Sequence, residues 1–265
     1  MVSQKNNYII SANAIPLHIM KFNLLKYNSL DSTNAEAYRL YQSGKAVSGT
    51  IILTAEQTSG KGYGNNYWES EPGKNLTFSL LFKPQVIMPS DQFIITQMIS
   101  LSVLEILSKI IKEKTCFIKW PNDIYVNDNK IAGILIQNFI IGNNIDCSII
   151  GVGVNVNQQK FLSDAPNPTS IKLESNNYHS LEKLLDGILN RFNQYALQLP
   201  SPSFIKSLSN NYLNHLYRYG VSHTYRDSEG TFTAVITGIS EYGQLLLKKD
   251  DKTIKAYGFK EVEFL

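Results

Sequence analysis

Between Cys116 and Val156 the chain alternates short apolar runs with compact turns, and this stretch restricts the fold more than any other. Residues 116–120, 124–126, 130–139 and 147–156 read as strands. They are divided by Pro121, by Asn127-Asp128-Asn129 and by Gly142-Asn143-Asn144. Turns this short can only join antiparallel neighbours, so the centre of the chain predicts a meander.

The flanks add helices and further strands. Residues 22–30 predict a strand that enters a helix at Asp31-Ser32-Thr33-Asn34; Thr33 and Glu36 have capping-box spacing, and Gly44 supplies a stop. Residues 49–55 and 75–83 predict two more strands. Ser90 is the expected cap of a long helix in which Phe93, Met98, Leu101, Leu104 and Leu107 recur mostly three or four apart. Ser180 caps a strongly amphipathic helix and Ser201-Pro202 starts another. After Gly220, short alternating segments with turns roughly every eight to twelve residues predict a small β barrel. It holds little core of its own and is expected to pack on the larger unit. The division reads as an extension over residues 1–20, a main domain over 21–218 and a β domain over 219–265.

Composition removes several classes. Of 265 residues 43% are hydrophobic and 18% charged, which suits a globular protein and excludes collagen-like or wholly disordered chains. A formal charge of +3 is too small for a dedicated nucleic-acid binder. Cys116 and Cys147 stand far apart in no metal-binding pattern, which fits a reducing cytoplasm. No uninterrupted run of about 18 apolar residues suggests a membrane span. Residues 1–20 make a poor signal peptide and read as a loosely held extension, with Met20 as an alternative start.

Phosphate loops of the GxxxxGK[ST] type, GxGxxG, HExxH, GxSxG and EF-hand patterns are missing, and His18, His179, His215 and His223 lie apart from every polar cluster. Four polar segments at strand ends remain. Gly60, Gly62 and Gly64, with Lys61 between the first two and Trp68 at the end, suit an anion and a ring; a plain surface turn would look the same. Lys119-Trp120-Pro121-Asn122-Asp123 could hold phosphate and magnesium, or close a strand with a salt bridge. Lys130 precedes a strand containing Gly133, which marks a close ligand or a bulge. Gly151 and Gly153, two apart in an apolar strand, bare one sheet face for a flat ligand or for tight packing.

Ser32-Thr33-Asn34, the 60–68 loop, Lys119 to Asp123, Lys130 to Gly133 and Gly151 to Asn155, in this order, resemble the signature set of biotin protein ligases. The resemblance implies an α+β fold: a mixed, mostly antiparallel sheet with helices on one side, like class II aminoacyl-tRNA synthetases, plus a C-terminal SH3-like domain. It implies an enzyme that uses ATP and Mg2+ to convert biotin to biotinoyl-5′-AMP. The biotinoyl group then passes to a lysine of a biotin carboxyl carrier domain of acetyl-CoA carboxylase or a related carboxylase. Carried over by position, Ser32, Thr33, Asn34, Gln57, Gly60, Lys61, Lys130, Gly133, Leu135, Gly151 and Gly153 would contact biotin. Lys61, Gly62, Trp68, Lys119, Asn122 and Asn155 would serve the nucleotide and Asp123 magnesium, with Lys130, Lys61 and Lys119 catalytic.

The resemblance has departures. Lys61 stands where Arg is usual, the later loop arginines are replaced by Tyr63, Gly64, Asn66 and Tyr67, and Asn65 occupies a glycine position. Lysine cannot clamp phosphate bidentately, so a looser hold on the adenylate is expected. About 21 residues before the first strand are too few for a helix-turn-helix module, which implies a ligase without DNA binding, monomeric or homodimeric. A lipoate or octanoate ligase of the same fold, or a non-catalytic biotin or nucleotide sensor, are the alternatives.

Overall fold

Period-two alternation gives the strands of the main sheet two working faces, and the helices divide them. The computed structural model describes residues 6–7, 20–64, 66–84, 86–163, 165–199 and 201–265; the expectations for Asn65 and for most of residues 1–20 lie outside them. In chain order the elements are β1 (Asn6–Asn7), β2 (Asn23–Leu30), α1 (Thr33–Gln42), β3 (Thr50–Gln57), β4 (Leu76–Phe82), α2 (Phe93–Ile110), β5 (Cys116–Lys119), β6 (Asp123–Val126), β7 (Asn129–Ile141), β8 (Asn144–Val154), α3 (Ile171–Ser175), α4 (Leu181–Ala196) and α5 (Pro202–Asn214). The first eight strands form one sheet in the order β1-β2-β3-β4-β8-β7-β6-β5. Only β2 and β3 run parallel, and α1 is the crossover such a pair requires. The expected meander is β5 to β8.

On β8, Ile150, Val152 and Val154 enter the larger core with Met98, Leu101 and Leu104 of α2, Ile188 and Phe192 of α4 and Tyr212 of α5. Cys147 and Ile149 point the other way, where they meet Ala37 of α1 together with Ile52 and Leu81. Helix α1 therefore departs from the one-sided arrangement expected. It is short and covers only part of its face, so the row continuing from Ile149 through Gly151 and Gly153 is left to a cleft. Helix α2 is long and apolar enough to cross a membrane by length and composition, but here it is the central core helix.

Local signals place helix ends unevenly. Ser180 and Ser201 cap α4 and α5 by accepting from Lys183 N and Phe204 N. The capping box at Thr33 and Glu36 does not form: Ser32 is the N-cap residue without a side-chain bond, the Thr33 hydroxyl donates to Gln57 Oε1, and Glu36 accepts from Tyr27 and Arg39. Ser90 lies in a 3-10 turn, Pro89–Asp91, ahead of α2, whose N-cap residue is Gln92. Helix α3 carries no long apolar pattern and is not foreseen.

The C-terminal strands are β9 (Ser222–Asp227), β10 (Gly230–Ile239), β11 (Leu245–Lys249), β12 (Ile254–Tyr257) and β13 (Glu263–Phe264). Their order is β12-β11-β10-β9-β13, an open five-stranded sheet in place of the expected closed barrel, since β12 and β13 do not pair. Tyr225, Ile236, Leu245 and Leu247 join the main core, as a unit this small requires. Trp120 Nε1 donates to the Gly243 carbonyl at 2.9 Å, tying this sheet to the end of β5.

Candidate active site

Register across three strands builds the cleft floor. Thr77 of β4 faces Gly153 of β8, which faces Gly133 of β7; one row on, Ser79 faces Gly151, which faces Leu135. Above this face lies a cavity of about 670 Å³, within the range of small-molecule sites. The missing side chains are replaced by two that belong to the chain. A Cβ on Gly151 would overlap Asn34 Oδ1, and one on Gly153 would overlap the Trp68 indole, which also stands 3.0 Å from where a Gly133 Cβ would be. The glycine face is thus covered at one end by a buried amide and at the other by an indole.

The first turn of α1 and the end of β3 form the inner wall. Thr33 N and Oγ1 donate to Gln57 Oε1 at 2.8 and 3.2 Å. Ser79 donates to Asn34 Oδ1 at 2.6 Å and lies 2.8 Å from Thr33 Oγ1, while Asn34 Nδ2 reaches the Leu135 carbonyl at 3.3 Å. Ser32, Thr33, Asn34 and Gln57 are all buried, and such a linked polar set holds each member in place.

The outer wall is charged, and a bulge in β7 sets it. Ile124 pairs with Ala132 but Tyr125 pairs with Lys130, so Ile131 is the extra residue. Strict alternation would send Ile131 into the cleft; the bulge buries it and turns Lys130 inward. Lys130 Nζ meets Asp123 Oδ2 at 2.6 Å and stands 5.8 Å from the Trp68 ring centroid. Lys119, at the end of β5, donates to Tyr125 Oη at 3.3 Å and faces the rings of Tyr125 and Phe264. Burial draws the Lys119 ammonium below its usual pKa, with Asp123 opposing. Burial also raises the Tyr125 phenol. Asn122 Nδ2 donates to the Ile134 carbonyl at 2.6 Å.

The 60–68 loop closes on itself. Trp68 N donates to the Gly60 carbonyl at 3.0 Å, Gly62 N donates to the Asn66 carbonyl at 2.8 Å, and Lys61 bridges Tyr67. A side chain on Gly60 would overlap the Trp68 carbonyl, so this glycine shapes the loop neck and does not line the cleft. Lys61 is exposed on the loop and lines the cleft. The remaining expected residues, Gly62, Gly133, Leu135, Gly151, Gly153 and Asn155 among them, line the cleft with Ser32, Thr33, Asn34, Gln57, Trp68, Lys119, Asn122, Asp123 and Lys130. Two buried atoms of that lining have no hydrogen-bond partner among the described residues: the donor Trp68 Nε1 and the acceptor Asn155 Oδ1. Orphaned polar atoms beside a cavity fit a ligand that completes them.

Sequence reasoning missed other lining residues. Thr77, which lines the cleft, and Ser79, buried behind it against Asn34, interrupt an apolar strand at period two, which is a readable mark of a polar patch on one face. Glu69 accepts from Leu162 N, Ser163 N and Gln158 Nε2, tethering the segment at 158–163 beside the cleft. Burial opposes its ionisation, yet these bonds hold its carboxyl below the usual value. Phe259 arrives from the C-terminal sheet, and nothing local in the sequence marks it.

Residues 27–155, which supply most of this lining, match the Biotin/lipoate A/B protein ligase family. Over 248 residues the chain is 28% identical to the bifunctional ligase/repressor BirA of Bacillus subtilis, covering 90% of this chain and 73% of that protein. It is 28% identical to the biotin--[acetyl-CoA-carboxylase] ligase of Paracoccus denitrificans, covering 82% and 91%. The biotin protein ligase of Aquifex aeolicus, solved in complex with biotin and ATP, superposes with a TM-score of 0.74 at 25% identity, covering 91% of this chain and 98% of that one. The chain carries a biotin/lipoate A/B protein ligase family domain and is a homologue of the biotin protein ligases.

Proposed function

We propose that this chain joins biotin to ATP, releases pyrophosphate, and transfers the biotinoyl group to a lysine of a biotin carboxyl carrier domain. The observation that carries this reading is the two-part cleft: a floor where the glycines seat a buried amide and an indole, suited to an uncharged ring system, runs into a wall of lysines for phosphate. In the first step a biotin carboxylate oxygen bonds to the α-phosphorus while the bond to the pyrophosphate oxygen breaks. Two anions must be brought together, so catalysis consists mainly of alignment and charge neutralisation. Lys130 is the residue assigned to the meeting point of carboxylate and α-phosphate. Its ion pair with Asp123 fixes the ammonium before substrate arrives. Lys119 and Lys61 serve the phosphates, Ser32, Thr33, Asn34 and Gln57 the ring end of biotin, and Trp68 and Asn155 the nucleotide. In the second step the carrier amine attacks the acyl carbon and AMP leaves.

No group of three or more His, Cys, Asp or Glu that could hold a metal occurs among the described residues. With Asp123 as the nearby carboxylate, the donor set fits magnesium carried in on nucleotide phosphates, where it would neutralise phosphate charge. Pyrophosphate exchange into ATP with biotin, lipoate or octanoate tests the reading. Exchange driven by biotin and lost in Lys130→Ala is expected; exchange driven only by lipoate or octanoate, or by none of the three, would overturn it.

A further inference from the structure

We propose that the turn at 258–261 of the C-terminal sheet is a second jaw of the nucleotide site, in which Phe259 docks the glycine loop and Lys260 gives the nucleotide phosphates a cation that the loop lacks. This rests on the preceding reading for the identity of the nucleotide. The loop at 60–68 carries a single cation among its described residues, Lys61. At Tyr63 it is instead aromatic, and that ring meets Phe259 edge to face with centroids 4.4 Å apart. Phe259 also lies 6.0 Å from Trp120, centroid to centroid, and lines the cleft. An aromatic chain thus runs from the loop to the end of β5, immediately before the Asn122 and Asp123 wall.

Lys260 follows directly. Its ammonium stands 5.2 Å from the Tyr63 ring centroid, and 3.1 Å from where a side chain on Gly64 would begin. Gly64 has φ +65, so this position favours glycine and leaves the ammonium room against the loop backbone. Lys260 itself has φ +67, uncommon for a residue with a side chain. The turn is held by Gly258 N donating to Glu261 Oε2 at 2.6 Å and Glu261 N donating to the Gly258 carbonyl at 3.1 Å. The lysine is exposed, and it remains available to an anion held by the loop. Docking through Tyr63 therefore gives the C-terminal sheet a role in the site: it brings a positive charge to a loop that is poor in them.

The test is calorimetric titration of the full chain with magnesium and a non-hydrolysable ATP analogue, with adenosine as the uncharged probe. Lys260→Ala is expected to weaken analogue binding about tenfold at low salt and to leave adenosine binding within about twofold, because a charge-assisted contact is removed. Lys260→Arg restores the analogue affinity. The difference narrows as ionic strength rises, since an exposed cation is screened. Lys248→Ala, which removes one exposed charge from the same sheet away from the cleft, leaves both affinities unchanged. Unchanged analogue affinity in Lys260→Ala, or an equal loss for adenosine, would overturn the proposal. Biotin-driven exchange is a separate readout: its absence in the wild type with a tenfold analogue effect would leave the jaw standing and remove the ligase reading.

Discussion

The floor of the cleft and its rim are built on opposite principles. The floor is sheet: Thr77, Gly153 and Gly133 are fixed by ladder register, Asn34 is locked by Ser79 and Leu135, and every position has neighbours on several sides. The rim consists of loop ends, with an exposed Lys61, a Glu69 tether and an aromatic contact to a second sheet. The floor can therefore discriminate by shape, where a misplaced methyl group has nowhere to go. The rim works through charge and closure, where contacts are screened and individually weaker.

If that division holds, damage should differ in kind as well as size. Lys130→Ala sits where floor and rim meet, and it also leaves Asp123 facing the cleft without its cation. We expect kcat for biotin-driven exchange to fall by about a hundred- to a thousandfold, as for loss of a transition-state charge contact. Gly151→Ala drives a methyl group into the Asn34 amide, and we expect biotin affinity by calorimetry to fall about a hundredfold with ATP affinity nearly kept. Equal losses for both ligands would erase the distinction between floor and rim.

Rim changes should be milder. Glu69→Gln weakens the acceptor for Leu162 N and Ser163 N, and amide exchange at those residues should speed up several-fold without loss of the folded core. The wild type should show the same loosening with pH. The Glu69 carboxyl is held below its ordinary value, so its contribution is complete above the ordinary carboxylate range and is lost as pH falls through the lowered value. Protection that stays constant with falling pH until the fold itself is lost would contradict this assignment. Smallest of all, Lys61→Arg should slow biotinoyl-AMP dissociation about two- to threefold through a bidentate phosphate contact. No slowing would remove the loose-hold account of the loop.

The same division explains what could be read from sequence. The meander, α4, α5 and the glycine positions are local signals, written in turns, caps and period-two spacing, and the structure follows them. The capping box failed because tertiary partners competed: Thr33 is bonded to Gln57, and Glu36 to Tyr27 and Arg39. A bulge at Ile131 is invisible in composition, yet it decides which way Lys130 points. Phe259 reaches the cleft, and Lys260 the loop at its rim, from about two hundred residues further along the chain, a juxtaposition that only the fold creates. Gly60 shows the converse, a residue placed in a motif whose work is to close the loop neck beneath the cleft.

Intact-mass analysis of a biotin carboxyl carrier domain incubated with this chain, biotin, ATP and magnesium tests the central claim most directly. The account predicts one biotinoyl group on one lysine, dependent on ATP and lost with Lys130→Ala. A carrier left unmodified by the wild type, or modified with lipoyl or octanoyl groups in preference when those acids are supplied, would contradict it.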